Sequence, residues 1–303
     1  MTTRIAIWLV LGTACGTSAI DGGGDDVAGP DANPNLPPGG DGSVDGFTEL
    51  IAGSWSLPAG DEGYRCVTRT LTEDVLITGF HTTAPSGTHH TALSVGSPIG
   101  PDGSAICGAS DNRPTIIFGA GVGTPDLAMP AGLAVRVHAG DQLMLNLHVF
   151  NATDQTLTGH SGVSITSTTS PVAEAGIANT GKTSDLVVPP GSSTQVGTCT
   201  VPEGAKAFSV FPHMHKLGVH MRAIATTASG PHTLIDMPYT FENQRYYGLA
   251  PELPLTAGDQ IRIECSYQND TGATVQFGQS SLQEMCGLGI YITPPWADPS
   301  CGF

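Results

Sequence analysis

Basic residues are scarce in this chain: 11 Lys and Arg stand against 27 Asp and Glu, a formal charge of −16. A surface of that sign is soluble and repels a phosphate backbone, which counts against nucleic acid as a partner. Helix formers are also thin, while Thr, Ser, Val and Ile are plentiful beside 40 Gly and 23 Pro. That composition builds short strands joined by turns, so the chain is expected to be all-β. Beyond the N-terminus no stretch is long and apolar enough to cross a bilayer as a helix. Missing too are a Gly-x-Ser-x-Gly elbow, a phosphate-binding glycine loop and a His-Glu-x-x-His helix. Their absence removes the common signatures of serine hydrolases, nucleotide binders and zinc proteases.

What is present begins with an apolar run, residues 5–14, after Arg4 and ending at Cys15. Residues 1–15 have the shape of a secretory signal, too short for a mature membrane span. Cys15 directly after Gly-Thr-Ala reads as a bacterial lipidation cysteine, the alternative being an ordinary signal peptide cleaved nearby. The segment 16–47 follows as a disordered linker: residues 21–46 hold 8 Gly, 4 Pro and 6 Asp, a mixture that cannot fill a core. The chain is therefore expected to be exported, periplasmic or at the cell surface, and lipid-anchored. Six further cysteines, Cys66, Cys107, Cys199, Cys265, Cys286 and Cys301, suggest three disulfides in such a compartment. Copper ligation by cysteine is the competing reading, weakened because no Cys-x-x-Cys or Cys-x-His spacing occurs.

An internal echo organises the rest. Ala139-Gly140-Asp141-Gln142 opens a strand that exits through Asn151-Ala152-Thr153, and Ala257-Gly258-Asp259-Gln260 opens one that exits through Asn269-Asp270-Thr271. A Gly-Asp turn before an alternating run is a strand signature. Its recurrence suggests two domains of related architecture, 48–168 and 169–303, divided near Thr168–Pro171; the rival is chance, since Ala-Gly-Asp before a strand is a common turn. Strands are expected at 75–80, 143–150, 206–211, 260–267 and 288–293. The expected architecture is two tandem, jelly-roll-like β-sandwiches packed together.

Five histidines and a methionine form two separated clusters: His89, His90 and His148, then His213, His215 and Met285. Imidazole suits copper and zinc, whereas a thioether prefers Cu(I). Two unlike sets of this kind point to redox copper rather than structural metal. On a strand, residues two apart face the same way, so His213 and His215 can converge on one ion beyond a strand ending at Pro212. The adjacent pair His89-His90 would face opposite sides of a regular strand and needs a bulge or turn, which Pro85-Ser86-Gly87 could supply. A cupin would place Glu four residues after His215, where this chain has Val219. His81, His138, His160, His220 and His232 read as ordinary surface or packing residues.

Those residues resemble the type II copper, ascorbate-dependent monooxygenases, the family of peptidylglycine alpha-hydroxylating monooxygenase and dopamine beta-monooxygenase. The likeness covers roughly residues 60–293. It runs through Tyr64-Arg65-Cys66, Thr88-His89-His90, Leu147-His148, Val187 to Gly191 with Cys199, Phe211 to Gly218, and Ser281 to Cys286. It implies two β-sandwich domains with two coppers per chain. His89, His90 and His148 would hold the electron-transfer copper, with Tyr64 lining that site. His213, His215 and Met285 would hold the catalytic copper, where O2 and substrate meet. It also implies the pairs Cys66–Cys107, Cys199–Cys301 and Cys265–Cys286. Ascorbate or a similar one-electron donor would be the co-substrate, and a C–H bond of a small organic molecule the target. No protein partner is predicted, and contact with a membrane is expected only through the lipid anchor.

The chain also departs from that family. Phe211 stands where peptide-amidating members carry an Arg that anchors a carboxylate, and Gly287 and Gly289 stand where they carry Asn and Tyr. Without a bidentate Arg, recognition of a peptide C-terminus is not expected. Peptidylglycine is therefore not the expected substrate; a small aromatic or aliphatic molecule is. Two rivals stand beside the enzyme: a copper-binding surface lipoprotein without turnover, and a structural β-sandwich protein with chance histidines.

Overall fold

Runs of nine or ten residues in which Val, Ile and Leu alternate with polar side chains fold as long strands, because successive residues of a strand face opposite sides. A computed structural model describes residues 46–302 apart from 110, 122, 184, 242, 243 and 279. The expected signal segment 1–15, Cys15 and the linker up to residue 45 lie outside the described residues. No helix occurs among those described.

The first half contains β1 (Thr48–Leu57), β2 (Glu62–Thr70), β3 (Val75–Thr83), β4 (Thr88–Gly96), β5 (Gly103–Cys107), β6 (Thr115–Gly121), β7 (Leu127–Ala128), β8 (Leu133–Val137), β9 (Gln142–Phe150) and β10 (Leu157–Ser167). The second contains β11 (Ala173–Lys182), β12 (Val187–Val188), β13 (Gly191–Thr200), β14 (Ala205–Met214), β15 (Gly218–Thr227), β16 (Gly230–Pro238), β17 (Tyr247–Leu255), β18 (Gln260–Asn269), β19 (Val275–Gln276), β20 (Cys286–Thr293) and β21 (Ser300–Cys301). All five expected strands are among them. One differs in a way that matters: β14 continues past Pro212 to Met214, so His213 lies within the strand.

A 10-stranded sheet runs in the order β1-β10-β3-β8-β11-β20-β14-β17, with β7 beside β3 and β21 beside β11. A 5-stranded sheet, β5-β2-β9-β4-β6, and a 4-stranded sheet, β13-β18-β15-β16, are separate from it. Two apolar cores lie between these layers. Ile77, Phe80 and Val163 of the large sheet meet Leu93, Phe118, Leu143, Leu145 and Leu147 in one. Val210, Leu288 and Ile290 meet Met221, Ile261 and Ile263 in the other. Burying each such side chain contributes about 1.5–3 kcal/mol. The two sandwiches share their large sheet: β8 and β11 pair in parallel through Ala173–Leu133, Glu174–Ala134 and Ala175–Val135. β11 serves both cores, Ala175 and Ile177 filling the first and Ala178 the second.

The sequence echo is an echo of structure. Gly140 and Gly258 both turn with positive φ, 88° and 97°, which side chains with a Cβ rarely adopt. Asp141 Oδ2 accepts the His138 amide at 3.1 Å and Asp259 Oδ2 the Thr256 amide at 2.8 Å. At the exits, buried Asn151 donates to the carbonyls of Leu57, Pro58 and Gln155, while its Oδ1 takes the amide and hydroxyl of Thr153. Asn269 does the same with Val188, Ala273 and Thr271. Disulfides join Cys66 to Cys107, Cys199 to Cys301 and Cys265 to Cys286.

Candidate metal centres

In the 5-stranded sheet β9 lies between β2 and β4, and the registers place His148 opposite Tyr64 on one side and His90 on the other. The adjacent histidines are reconciled by a bulge. Between Thr88 and His90 the β4–β9 ladder shifts register, and the extra residue, His89, lets both imidazoles turn to one side. His89, His90 and His148 bring their ligand nitrogens within 4.8 Å of one another. His90 Nδ1 is 3.0 Å from His89 Nδ1 and 3.3 Å from His148 Nδ1, so three Nδ1 atoms converge. The outer nitrogen of His148, Nε2, lies 2.5 Å from Glu62 Oε1 and donates to it. That bond fixes the tautomer and leaves Nδ1 as the lone-pair donor. Tyr64 stacks on His148 with ring centroids 4.4 Å apart and planes at 6°. Burial, with Glu62 nearby, pushes its phenol up to about 12, so it stays neutral.

The second set uses the other nitrogen. His213, near the end of β14, has Nδ1 2.8 Å from Gln244 Oε1. His215, just beyond the strand, has Nδ1 3.0 Å from the carbonyl oxygen of Gln283. Each outer N–H has a neutral acceptor, which leaves Nε2 as the lone pair on both rings. Their centroids are 5.3 Å apart with planes at 89°. Glu284 joins this pair to Met285. Its buried carboxylate accepts the amides of Leu217 at 2.7 Å, His215 at 3.0 Å and Met285 at 3.2 Å. Burial pushes Glu284 up to about 7, against the pull of those three amides. On the far side of Met285, Tyr267 donates to its carbonyl at 2.6 Å and the Cys265–Cys286 bridge fixes the next residue.

One cavity of about 310 Å³ is lined by His90 of the first set and by His213, His215 and Met285 of the second. Its remaining wall is mainly apolar, with Phe211, Tyr246, Tyr291, Ile177 and Leu288, but Arg113, Asn112, Asn146 and Asn179 also line it, and Gly287 and Gly289 carry no side chain there. Phe241 stands between the sets, its ring 4.8 Å from that of His89 and 6.0 Å from that of His215. Tyr246 ties the segment to the first half by donating to the Gly119 carbonyl at 2.7 Å.

Burial disfavours the imidazolium throughout. It lowers His89 to about 4, helped by His148, and His215 to about 3, helped by His213. His90, His148 and His213 are lowered by burial as well. All five rings are thus neutral near pH 7, the form a metal requires. His148 Nδ1 presents its lone pair beside the Nδ1 atoms of His89 and His90, an arrangement a cation among them would hold. The donor chemistry fits copper: imidazoles in one set, imidazoles with a thioether in the other.

His89, His90 and His148 come together with Tyr64 beside them, His213 and His215 lie side by side, and Met285 lines the same cavity as that pair. The five histidines read as ordinary lie elsewhere: His81 pairs with Asp126 at 2.7 Å, and His160 with Glu49 at 3.2 Å. Glu62, Gln244 and the role of Glu284 enter the site only through the fold. Glu62 had a signal, since it lies two residues from Tyr64 on one face of β2. Gln244 had none, being 31 residues from His213 in an irregular segment.

Residues 173–301 match the family described as copper type II ascorbate-dependent monooxygenase, C-terminal domain. No curated protein matches the chain. Among solved structures, the major capsid protein P2 of bacteriophage PM2 aligns over 80% of this chain and 97% of its own, at 8% identity and a TM-score of 0.34. Infectious bursal disease virus Gx strain aligns over 82% of this chain and 73% of its own, at 8% identity and a TM-score of 0.20.

Proposed function

We propose that this protein is a copper-dependent monooxygenase that hydroxylates a C–H bond of a small, mainly apolar molecule with O2 and an ascorbate-type one-electron donor. One observation carries the reading: a cluster of three imidazoles presents His90 to the same mainly apolar cavity that His213, His215 and Met285 line. The family match over 173–301 supports it from the sequence side. His89, His90 and His148 would hold one copper, and His213, His215 and Met285 the other. Copper bound there supplies one-electron redox chemistry and activation of dioxygen. One oxygen atom enters the C–H bond as hydroxyl. The other leaves as water, with two electrons and two protons drawn from the reductant.

The chain's own residues do the positioning. Glu62, Gln244 and the Gln283 carbonyl hold three rings with the correct nitrogen inward. Glu284 holds Met285 beside His215. Phe211, Tyr246 and Tyr291 wall the space in which the substrate would lie and limit water there. Phe211 offers no charge to a peptide carboxylate, and the guanidinium that also lines the cavity, Arg113, is drawn to the Ser97 carbonyl. A glycine-extended peptide should show no turnover under conditions where an apolar substrate is hydroxylated, and comparable rates on both would contradict this wall assignment.

On this reading residues 48–168 and 169–303 are the two copper domains, and the partners are the small molecule and O2 alone. Three disulfides fit an oxidising, exported compartment, with Cys15 as the lipid anchor. The test is oxygen uptake by the copper-loaded protein with ascorbate across a panel of aromatic and aliphatic compounds. Substrate-dependent uptake with formation of an alcohol supports the reading. Two bound coppers with no uptake on any compound would leave a binding protein.

A further inference from the structure

Around the two centres, the groups that receive the outer N–H of the ligand rings differ in charge. At the second set both acceptors are neutral, the carboxamide of Gln244 and the peptide carbonyl of Gln283. At the first set the acceptor of His148 is a carboxylate, Glu62, at 2.5 Å. His148 has little freedom to move away from it. The ring is buried, stacked against Tyr64, and held opposite both Tyr64 and His90 by the β2–β9 and β4–β9 registers. The nitrogen pointing the other way is the one that joins His89 and His90.

A carboxylate receiving an imidazole N–H draws the proton toward itself and leaves more electron density on the opposite nitrogen. A stronger donor stabilises the higher oxidation state of a metal. A thioether does the reverse, favouring Cu(I). We propose that Glu62 is a positioning residue that makes the first centre the electron donor, by holding His148 with Nδ1 inward and strengthening it as a ligand to Cu(II). Its counterweight is Met285 in the second centre. With copper bound, that difference would make the first set the better site for Cu(II) and the second the better site for Cu(I). This rests on the copper reading of both sets.

The test is Glu62→Gln in the full chain, which keeps the size and an acceptor oxygen and removes the charge, giving His148 the acceptor type His213 has. Copper content, Cu(II) and Cu(I) affinities by chelator competition, and the potentials of both coppers by spectroscopically monitored titration are compared with wild type. The variant should hold two coppers, with Cu(II) at one of them bound about 10–100-fold more weakly, as for other outer-shell partners, and Cu(I) little changed. At 59 mV per tenfold for one electron, the potential of that copper rises by about 60–120 mV. Glu62→Asp, which restores the charge, should recover part of the shift. Two coppers with unchanged Cu(II) affinity and potentials in Glu62→Gln would overturn the proposal and leave the copper reading standing. A wild-type protein binding no copper at His89, His90 and His148 would overturn both together.

Discussion

Replacing Met285 with alanine removes the thioether and leaves His213 and His215 held by Gln244 and the Gln283 carbonyl. On the proposed function, hydroxylation should be lost, because the soft donor that would favour Cu(I) is gone. The copper of His89, His90 and His148 should stay, with its spectrum unchanged. Oxygen uptake and copper content measured on the same sample check both halves of that statement, and full activity would remove Met285 from the mechanism. At this scale the sequence was partly legible. The residue types and order of the two clusters could be read, as could Tyr64. The choice of nitrogen could not. Nδ1 inward on His148 and Nε2 on His213 and His215 are decided by Glu62, Gln244 and a peptide carbonyl, which the spacing of histidines along the chain does not encode.

Among the strands, the echo between β9 and β18 makes a quantitative claim. Asn151 is fully buried and its side chain satisfies three carbonyls and two donors of Thr153. Asn151→Ala strands those groups away from water and should cost about 1–3 kcal/mol, read as a lower urea midpoint with an unchanged slope. A loss within experimental error would mean the turn holds without it. Asn269 closes the corresponding turn in the second half and should behave alike. The echo ends where function begins. His148 in β9 corresponds to Ser266 in β18, whose hydroxyl lies 3.0 Å from Thr194 Oγ1 in an exposed pair. Turn chemistry made both strands readable, because Gly-Asp and Asn-x-Thr act over a few residues. The bulge at His89 was readable only as a requirement. Its position depends on how β4 pairs with β9, a strand more than fifty residues away. The parallel β8–β11 ladder that fuses the sandwiches is likewise a long-range pairing and leaves no local mark.

Taken whole, the molecule is held closed at its C-terminus by Cys199–Cys301, which spans 102 residues. Through it β21 is kept beside β11, where Ser300 pairs with Asn179 and both line the cavity. Closing a loop of that size is worth about 4.7 kcal/mol in the chain-entropy model, and native bridges generally measure about 2–5 kcal/mol. The double variant Cys199→Ala, Cys301→Ala should lose an amount in that range in equilibrium denaturation. It should also bind apolar ligands in the cavity more weakly. An unchanged midpoint would show that the bridge does not constrain the fold. The all-β class and the alternation of its strands followed from composition, since Thr, Val and Gly in short runs have few other ways to fold. That His90 faces the same space as His213, His215 and Met285 did not follow, because it depends on where Phe241, Gln244 and Tyr246 dock.

The central claim, two unlike copper centres on one chain, is tested most directly by the copper content of the purified mature protein, wild type beside His213→Ala. Two coppers in the wild type falling to about one in the variant, with the remaining copper showing an all-nitrogen environment, is the result expected of two independent sets. One copper or none in a well-folded wild type, or equal content in the variant, would contradict the claim.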